Sequence, residues 1–228
     1  MKKLLFAFCT LALACSCINI HYNGNGKRIV CKGPVEEKSL DLTGFNAINV
    51  NGSSDMIITQ SESFSVKVKA NEEAFEYLDY EVEDGVLIIK TKDNVQIVAQ
   101  TYKVYVTLPC LENLVVNGAA DADIHDYSSA KDLTVLVNGA GDFEISSVKV
   151  PSLSFTVNGA GDIDATELDV ESIAVRVNGA GDVNLSGKAT KADFSVTGAG
   201  DIDAYDLEME DYEVHKTGLA SIKLPKKD

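Results

Sequence analysis

Tryptophan is absent from the 228-residue chain, histidine occurs three times, and the only arginines are Arg28 and Arg176. A β-rich enzyme acting on polysaccharide needs two acids at catalytic spacing, with aromatic platforms or cations to hold the sugar. The raw material for such a site is thin here, and aromatics as a whole make up only 7% of residues. His21, His125 and His215 have no Ser or Cys partner at a motif spacing, and no H-E-x-x-H occurs. Each reads as a surface residue: His21 in a tether, His125 in a loop and His215 in a worn last repeat. Basic runs are also missing. Net charge is −15, or −17 once Lys2 and Lys3 leave with a leader, so the electrostatic footprint of nucleic-acid binding is absent. An acidic chain suits solubility, cations or a basic partner. No P-loop lysine follows any Gly-rich stretch, so these are not phosphate cradles.

The longest apolar run, Leu4 to Ala14, has eleven residues, too few to span a bilayer and suited to a signal segment. Lys2 and Lys3 precede it and Leu13-Ala14-Cys15-Ser16-Cys17 follows. Small residues before a Cys resemble a lipoprotein processing site, at which that Cys is acylated; Cys15 and Cys17 both fit. Residues 1–17 are therefore expected to be a lipoprotein signal segment, and residues 18–37 a polar tether. Membrane attachment follows through the N-terminal lipid. Cys31 and Cys110 remain in an oxidising setting, either as two thiols or as a pair.

What the chain has in plenty is repetition. Val157-Asn158-Gly159-Ala160-Gly161-Asp162 recurs at Val137–Asp142 and Val177–Asp182, and with Thr197 for Asn at Val196–Asp201. Looser copies begin at Val50 and Val116, and a worn one at Lys216. From Asn117 the steps are 21, 20, 20, 19 and 20 residues, the mark of a stacked repeat. One, three and five positions before each Asn or Thr stand apolar residues, as in Leu153, Phe155 and Val157. Alternation restarts after the turn, as in Ile163 and Ala165, and a third apolar pair such as Leu168 and Val170 follows. Three short strands per ~20 residues, each with one apolar face, predict an all-β fold: a right-handed parallel β-helix. The hand rests on the general rule for parallel crossovers.

The domain is expected over residues 38–225, with regular repeats over 110–225 and a short tail at 226–228. Residues 38–109 form an elaborated N-terminal section. Its expected elements are strands at Phe45–Val50, Met56–Thr59 and Phe64–Lys69, then a short helix Glu72–Leu78 capped by Asn71. A hairpin over residues 80–91, a loop or edge at Lys92–Thr101 and a strand Tyr102–Leu108 complete it.

The turn supplies the candidate site residues. Gly118, Gly139, Gly159, Gly179 and Gly198 occupy a position that is glycine in every copy, which points to φ > 0. Asn117, Asn138, Asn158 and Asn178 would stack as an amide ladder at the corner. Asp121, Asp142, Asp162, Asp182 and Asp201 start the next strand, facing away from the apolar side. Asp123, Glu144, Asp164, Asn184 and Asp203 follow two residues on. Like charges ~5 Å apart repel by about 1 kcal/mol even in water, so something offsets them. Two accounts stand. Each first Asp accepts backbone N–H groups in its own turn, or Ca²⁺ binds between repeats as a cation ladder.

With the Gly-Ala-Gly-Asp repeats, the Phe45–Thr59 opening and the Val106-Thr107-Leu108-Pro109 join, the chain resembles the putative auto-transporter adhesin, head GIN domain family (DUF2807) over about residues 38–222. The resemblance implies an exported β-helical protein, in many members a lipoprotein, and implies no catalytic residue or ligand. The expected function is a non-catalytic cell-envelope or surface lipoprotein of adhesin-like type. Its partner would be a protein or glycan, met by the acidic face and by loops at Asp126–Lys131 and Gly187–Lys191. The alternatives are a periplasm-facing structural or envelope-stress accessory and a Ca²⁺-dependent module.

Overall fold

The structure, a computed structural model, describes residues 18–21 and 27–225. The signal segment with Cys15 and Cys17 lies outside the described residues, as does the tail at 226–228. Period-two alternation lets a strand bury one face, and the fold is all-β. The N-terminal section supplies β1 (Ile18–His21), β2 (Lys27–Val30), β3 (Val35–Leu40), β4 (Ala47–Gln60), β5 (Ser65–Asn71), β6 (Leu78–Glu83), β7 (Val86–Thr91), β8 (Val95–Val98) and β9 (Tyr102–Leu108). The repeats supply β10 (Asn113–Ser128), β11 (Leu133–Gly179), β12 (Val183–Gly198), β13 (Asp201–Gly218) and β14 (Ser221–Lys223).

The main sheet runs β14-β13-β12-β11-β10-β4-β9-β5-β3, with β7 also against β4; a small sheet runs β1-β2-β8. From β4 to β14 the pairing is parallel and aligns like with like. Asn117 lies between Asn51 and Asn138, and Gly118 between Gly52 and Gly139. Further along, Gly179 aligns with Gly198 and Gly198 with Gly218. The sequence repeat is thus the hydrogen-bonding repeat. Alternation then stacks apolar columns: Leu153, Phe155 and Val157 are buried, as are Ile173, Val175 and Val177, and after the corner Ile163, Ala165, Val183 and Leu185. Each buried aliphatic or aromatic side chain contributes roughly 1.5–3 kcal/mol.

At the N-terminal end the pairing changes sense. The far edge of β4 is taken by β7 over its first half and by β9 over its second, both parallel. Beyond them β6, β5 and β3 add antiparallel strands. The edge of the parallel stack, which would otherwise template pairing with another chain, is covered by the protein's own strands. Tyr127 ties this section to the repeats. Its buried hydroxyl accepts from Leu111 N at 2.9 Å and donates to Leu111 O at 2.8 Å. Burial, with the adjacent Cys110 thiol, pushes the phenol up to about 12.

The structure departs from the sequence reading at five places. First, residues 27–37, read as tether, are built into the fold. β2 pairs with β8, and Ile29 and Cys31 are fully buried. The buried carboxylate of Glu73 accepts from Gly33 N at 2.7 Å. Second, the short helix is a 3₁₀ turn, Glu72–Glu76, and Asn71 does not cap it. The Asn71 amide instead donates to Gly33 O at 2.7 Å and accepts from Gln100 N at 3.0 Å, so its side chain is already committed. Third, the stretch 92–101 contains strand β8. Fourth, Gly187–Lys191 is not a loop but lies inside β12, paired on both sides, and only residues 129–131 of the Asp126–Lys131 stretch leave the strand. Fifth, His125 sits in β10 rather than in a loop. Cys31 and Cys110 are not joined; the Cys110 thiol lies 3.3 Å from Ser129 Oγ.

Candidate functional site

The corners carry three stacked columns. In the glycine column, Gly118, Gly139, Gly159, Gly179 and Gly198 have φ between +133° and +153°, a region closed to side chains by sterics. The column is also crowded: a Cβ on Gly159 would sit 2.0 Å from the carbonyl oxygen of Gly139, and one on Gly179 1.9 Å from that of Gly159. The second glycine of the motif is crowded as well: a Cβ would sit 2.0 Å from Ala120 O at Gly141, 2.1 Å from Gly161 O at Gly181 and 2.2 Å from Gly181 O at Gly200, and only Gly161, whose φ is not positive, has more room, at 3.1 Å from Gly141 O.

The asparagine column is a continuous amide chain. Asn117 Nδ2 donates to Asn51 Oδ1 at 3.0 Å. Asn138 donates to Asn117, Asn158 to Asn138 and Asn178 to Asn158, each at 2.8 Å. The amide chain ends at Asn178, since the next repeat carries Thr197 in place of asparagine.

The aspartate column acts where the backbone ladder is interrupted. Between β10 and β11 the register passes from Ala119↔Ala140 directly to Ala122↔Phe143, leaving the corner peptides unpaired. The carboxylates fill in: Asp121 Oδ1 accepts Asp142 N at 2.9 Å, and Asp162 Oδ1 accepts Asp182 N at 2.8 Å. Asp182 Oδ1 accepts Asp201 N at 3.0 Å, and Asp201 Oδ1 accepts Ser221 N at 2.8 Å. The acceptor role is therefore between repeats, not within one turn. The N–H groups of Asp142, Asp182 and Asp201 each bring partial positive charge to the neighbouring carboxylate and offset part of the repulsion. Asp182→Ala should destabilise by about 1 kcal/mol and Asp182→Asn by less, because the amide oxygen can still accept; urea unfolding of the two variants reads the difference.

Two residues on, Asp123 aligns with Glu144, Asp164 with Asn184 and Asn184 with Asp203. Asp203 is met by Lys223 at 2.9 Å, which with Tyr205 N holds its carboxyl below the usual range. A lowered pKa in the folded state stabilises above the unfolded value near 4 and is lost as pH falls through the folded value. Lys223→Met should raise the Asp203 pKa toward that ordinary value, read by a carboxyl ¹³C titration.

A second corner went unread in the sequence. Asp126, Ser147 and Glu167 occupy one repeat position and have φ of 53° to 56°; in the next repeat the register shifts, and Gly187, paired with Leu168, has φ +119°. Ser147 and Glu167 hydrogen-bond to each other across neighbouring repeats.

Together these features define an all-β repeat protein whose regular feature is an outward ladder of polar side chains held by backbone. The chain belongs to the family described as DUF2807, putative auto-transporter adhesin, head GIN domain, matched over residues 44–228. Among solved structures it is similar to a putative adhesin from Parabacteroides distasonis, with 22% identity and a TM-score of 0.75, covering 86% of this chain and 84% of that one. A putative adhesin from Bacteroides fragilis matches at 18% identity and a TM-score of 0.71, covering 86% of this chain and 99% of that one. A putative lipid binding protein from P. distasonis matches at 20% identity and a TM-score of 0.55, covering 88% and 100%. No curated protein matches the chain.

Proposed function

We propose that the protein is an exported, lipid-anchored and non-catalytic binding protein of the cell envelope, adhesin-like in type, whose repeats wind as a right-handed parallel β-helix. The winding is supported by corners that align in parallel at steps of 19 to 21 residues. The anchor rests on the Leu4–Ala14 run and the small residues before Cys15 and Cys17. The adhesive reading is carried chiefly by the outer ladder from Asp121 to Asp201. Four of its five exposed carboxylates, those of Asp121, Asp162, Asp182 and Asp201, are already positioned by a backbone N–H of the next repeat. Such a surface loses little freedom on binding. No single carboxylate in it is set apart as an acid or a base, which favours contact over catalysis. An open groove of about 500 Å³, lined by Ser53, Asp55, Ile97, Gln100, Tyr102 and Asp121, borders this face and offers room for a basic side chain or a sugar.

The absence of an acidic cluster over residues 18–27 favours a second reading, a periplasm-facing structural accessory. Adherence separates the two. Cells lacking the protein should bind host glycans or matrix proteins several-fold less well, and purified protein should compete with wild-type cells. Unchanged adherence across a broad ligand panel would remove the adhesive reading. Palmitate labelling lost in Cys17→Ser, in Cys15→Ser or only in the double variant would assign the anchor; labelling retained in all three would remove it.

A further inference from the structure

One cluster on the outer face is not repeated along the ladder. Asp123 and His125 stand two residues apart on β10 and therefore share a face. The parallel register places Glu144 beside Asp123 and Ser146 beside His125. One ligand atom each from Asp123, His125 and Glu144 lies within 4.8 Å of the others. His125 is singular among its counterparts Thr59, Ser146, Thr166 and Ser186, all of them hydroxyl residues. The imidazole is also held in place, with Nδ1 2.6 Å from Ser146 Oγ. A hydrogen bond on one ring nitrogen fixes the ring plane and leaves Nε2 to take a ligand.

The two carboxylates lack the cation that others on the surface have. Lys149 meets Asp169 at 2.6 Å, Lys188 meets Glu208 at 3.5 Å and Lys223 meets Asp203 at 2.9 Å. Among the described residues no lysine or arginine pairs with Asp123 or Glu144, and neither carboxylate accepts a hydrogen bond. An oriented imidazole beside two uncompensated carboxylates is a donor set for a borderline divalent metal. Ca²⁺ wants six to eight oxygens, whereas zinc is satisfied by three N/O ligands with a fourth position open.

We propose that Asp123, His125 and Glu144 bind one zinc(II) ion across neighbouring repeats, with Ser146 as a positioning residue and the open position facing solvent or a partner. The site is distinct from the Asp121–Asp201 column, whose oxygens accept backbone N–H groups. It does not depend on the adhesive reading.

The test is calorimetric titration of the full chain, metal-stripped and in detergent, with ZnCl₂. One zinc per chain is expected. Asp123→Asn, His125→Gln and Glu144→Gln should each weaken binding at least tenfold, and Ser146→Ala by about tenfold. His215→Gln and Cys110→Ser should leave binding unchanged, and millimolar Ca²⁺ or Mg²⁺ should not displace the zinc. All four site positions lie on the outer face, so the metal-free melting temperatures of these variants should match wild type. Cobalt(II) should give visible bands that are lost with His125→Gln. No zinc binding, zinc binding undiminished by His125→Gln, or displacement by equimolar Ca²⁺ would each overturn the proposal. The last two outcomes would assign the binding to another residue or to a general acidic surface.

Discussion

Gly159→Ala is expected to lower the melting temperature by about 6–12 °C or more. Alanine at φ +147° meets backbone strain of roughly 1–3 kcal/mol. Its Cβ would in addition lie 2.0 Å from Gly139 O, a backbone atom with no rotamer to escape into. The neighbouring repeat must then separate locally, which also weakens the Asn138–Asn158 bond. A total of about 3 kcal/mol or more, at roughly 2–4 °C per kcal/mol for a domain of this size, gives the expected drop. Two other glycines separate the causes. Gly44 has φ +78° with nothing within 4 Å of its Cβ direction, so Gly44→Ala should cost only the backbone term, about 1 kcal/mol. Gly161 has no positive φ and a contact of 3.1 Å to Gly141 O, so Gly161→Ala should cost clearly less than Gly159→Ala. Melts in which all three variants behave alike would mean that the close approach between corners is wrong.

Phe155→Ala should destabilise by about 3–5 kcal/mol, the range for deleting a large buried aromatic. Phe155 is fully buried, and its repeat position is also held by Leu114, Val135, Val175 and Phe194, all without solvent exposure. The column is apolar and buried throughout, and close-packed interiors relax only partly around a deleted ring, so collapse is limited. Phe155→Leu should recover more than half of the loss. Denaturant unfolding of the two variants, with m-values compared, measures this. A Phe155→Ala cost near 1 kcal/mol would mean that the column is loosely packed.

These two effects were legible in different degrees. The glycine and apolar columns stand out because each repeat samples the same environment, so a single sequence carries several readings of one position. The close approach behind the glycine column was not legible, since it arises between repeats and leaves only the same absence of a side chain. The aspartate column was read correctly as polar and outward. Its acceptor role was assigned to the wrong partner, because a carboxylate's nearest N–H in sequence is not its nearest in space. The second corner stayed hidden because Asp126, Ser147 and Glu167 share a backbone conformation but not a residue type. The segment 27–37 looked like tether because β2 has four residues, too few to show a period, and its burial depends on β8, far along the chain. His125 was dismissed for want of a catalytic partner in sequence, whereas Glu144 and Ser146 reach it only through the parallel register.

The proposed adhesive role requires the acidic ladder to be exposed at the cell surface. It is tested most directly by adding protease, or an antibody raised against the folded domain, to intact cells, with lysed cells as the control. The account predicts cleavage or labelling on intact cells at a level close to that after lysis. Protection until the outer membrane is broken would contradict it.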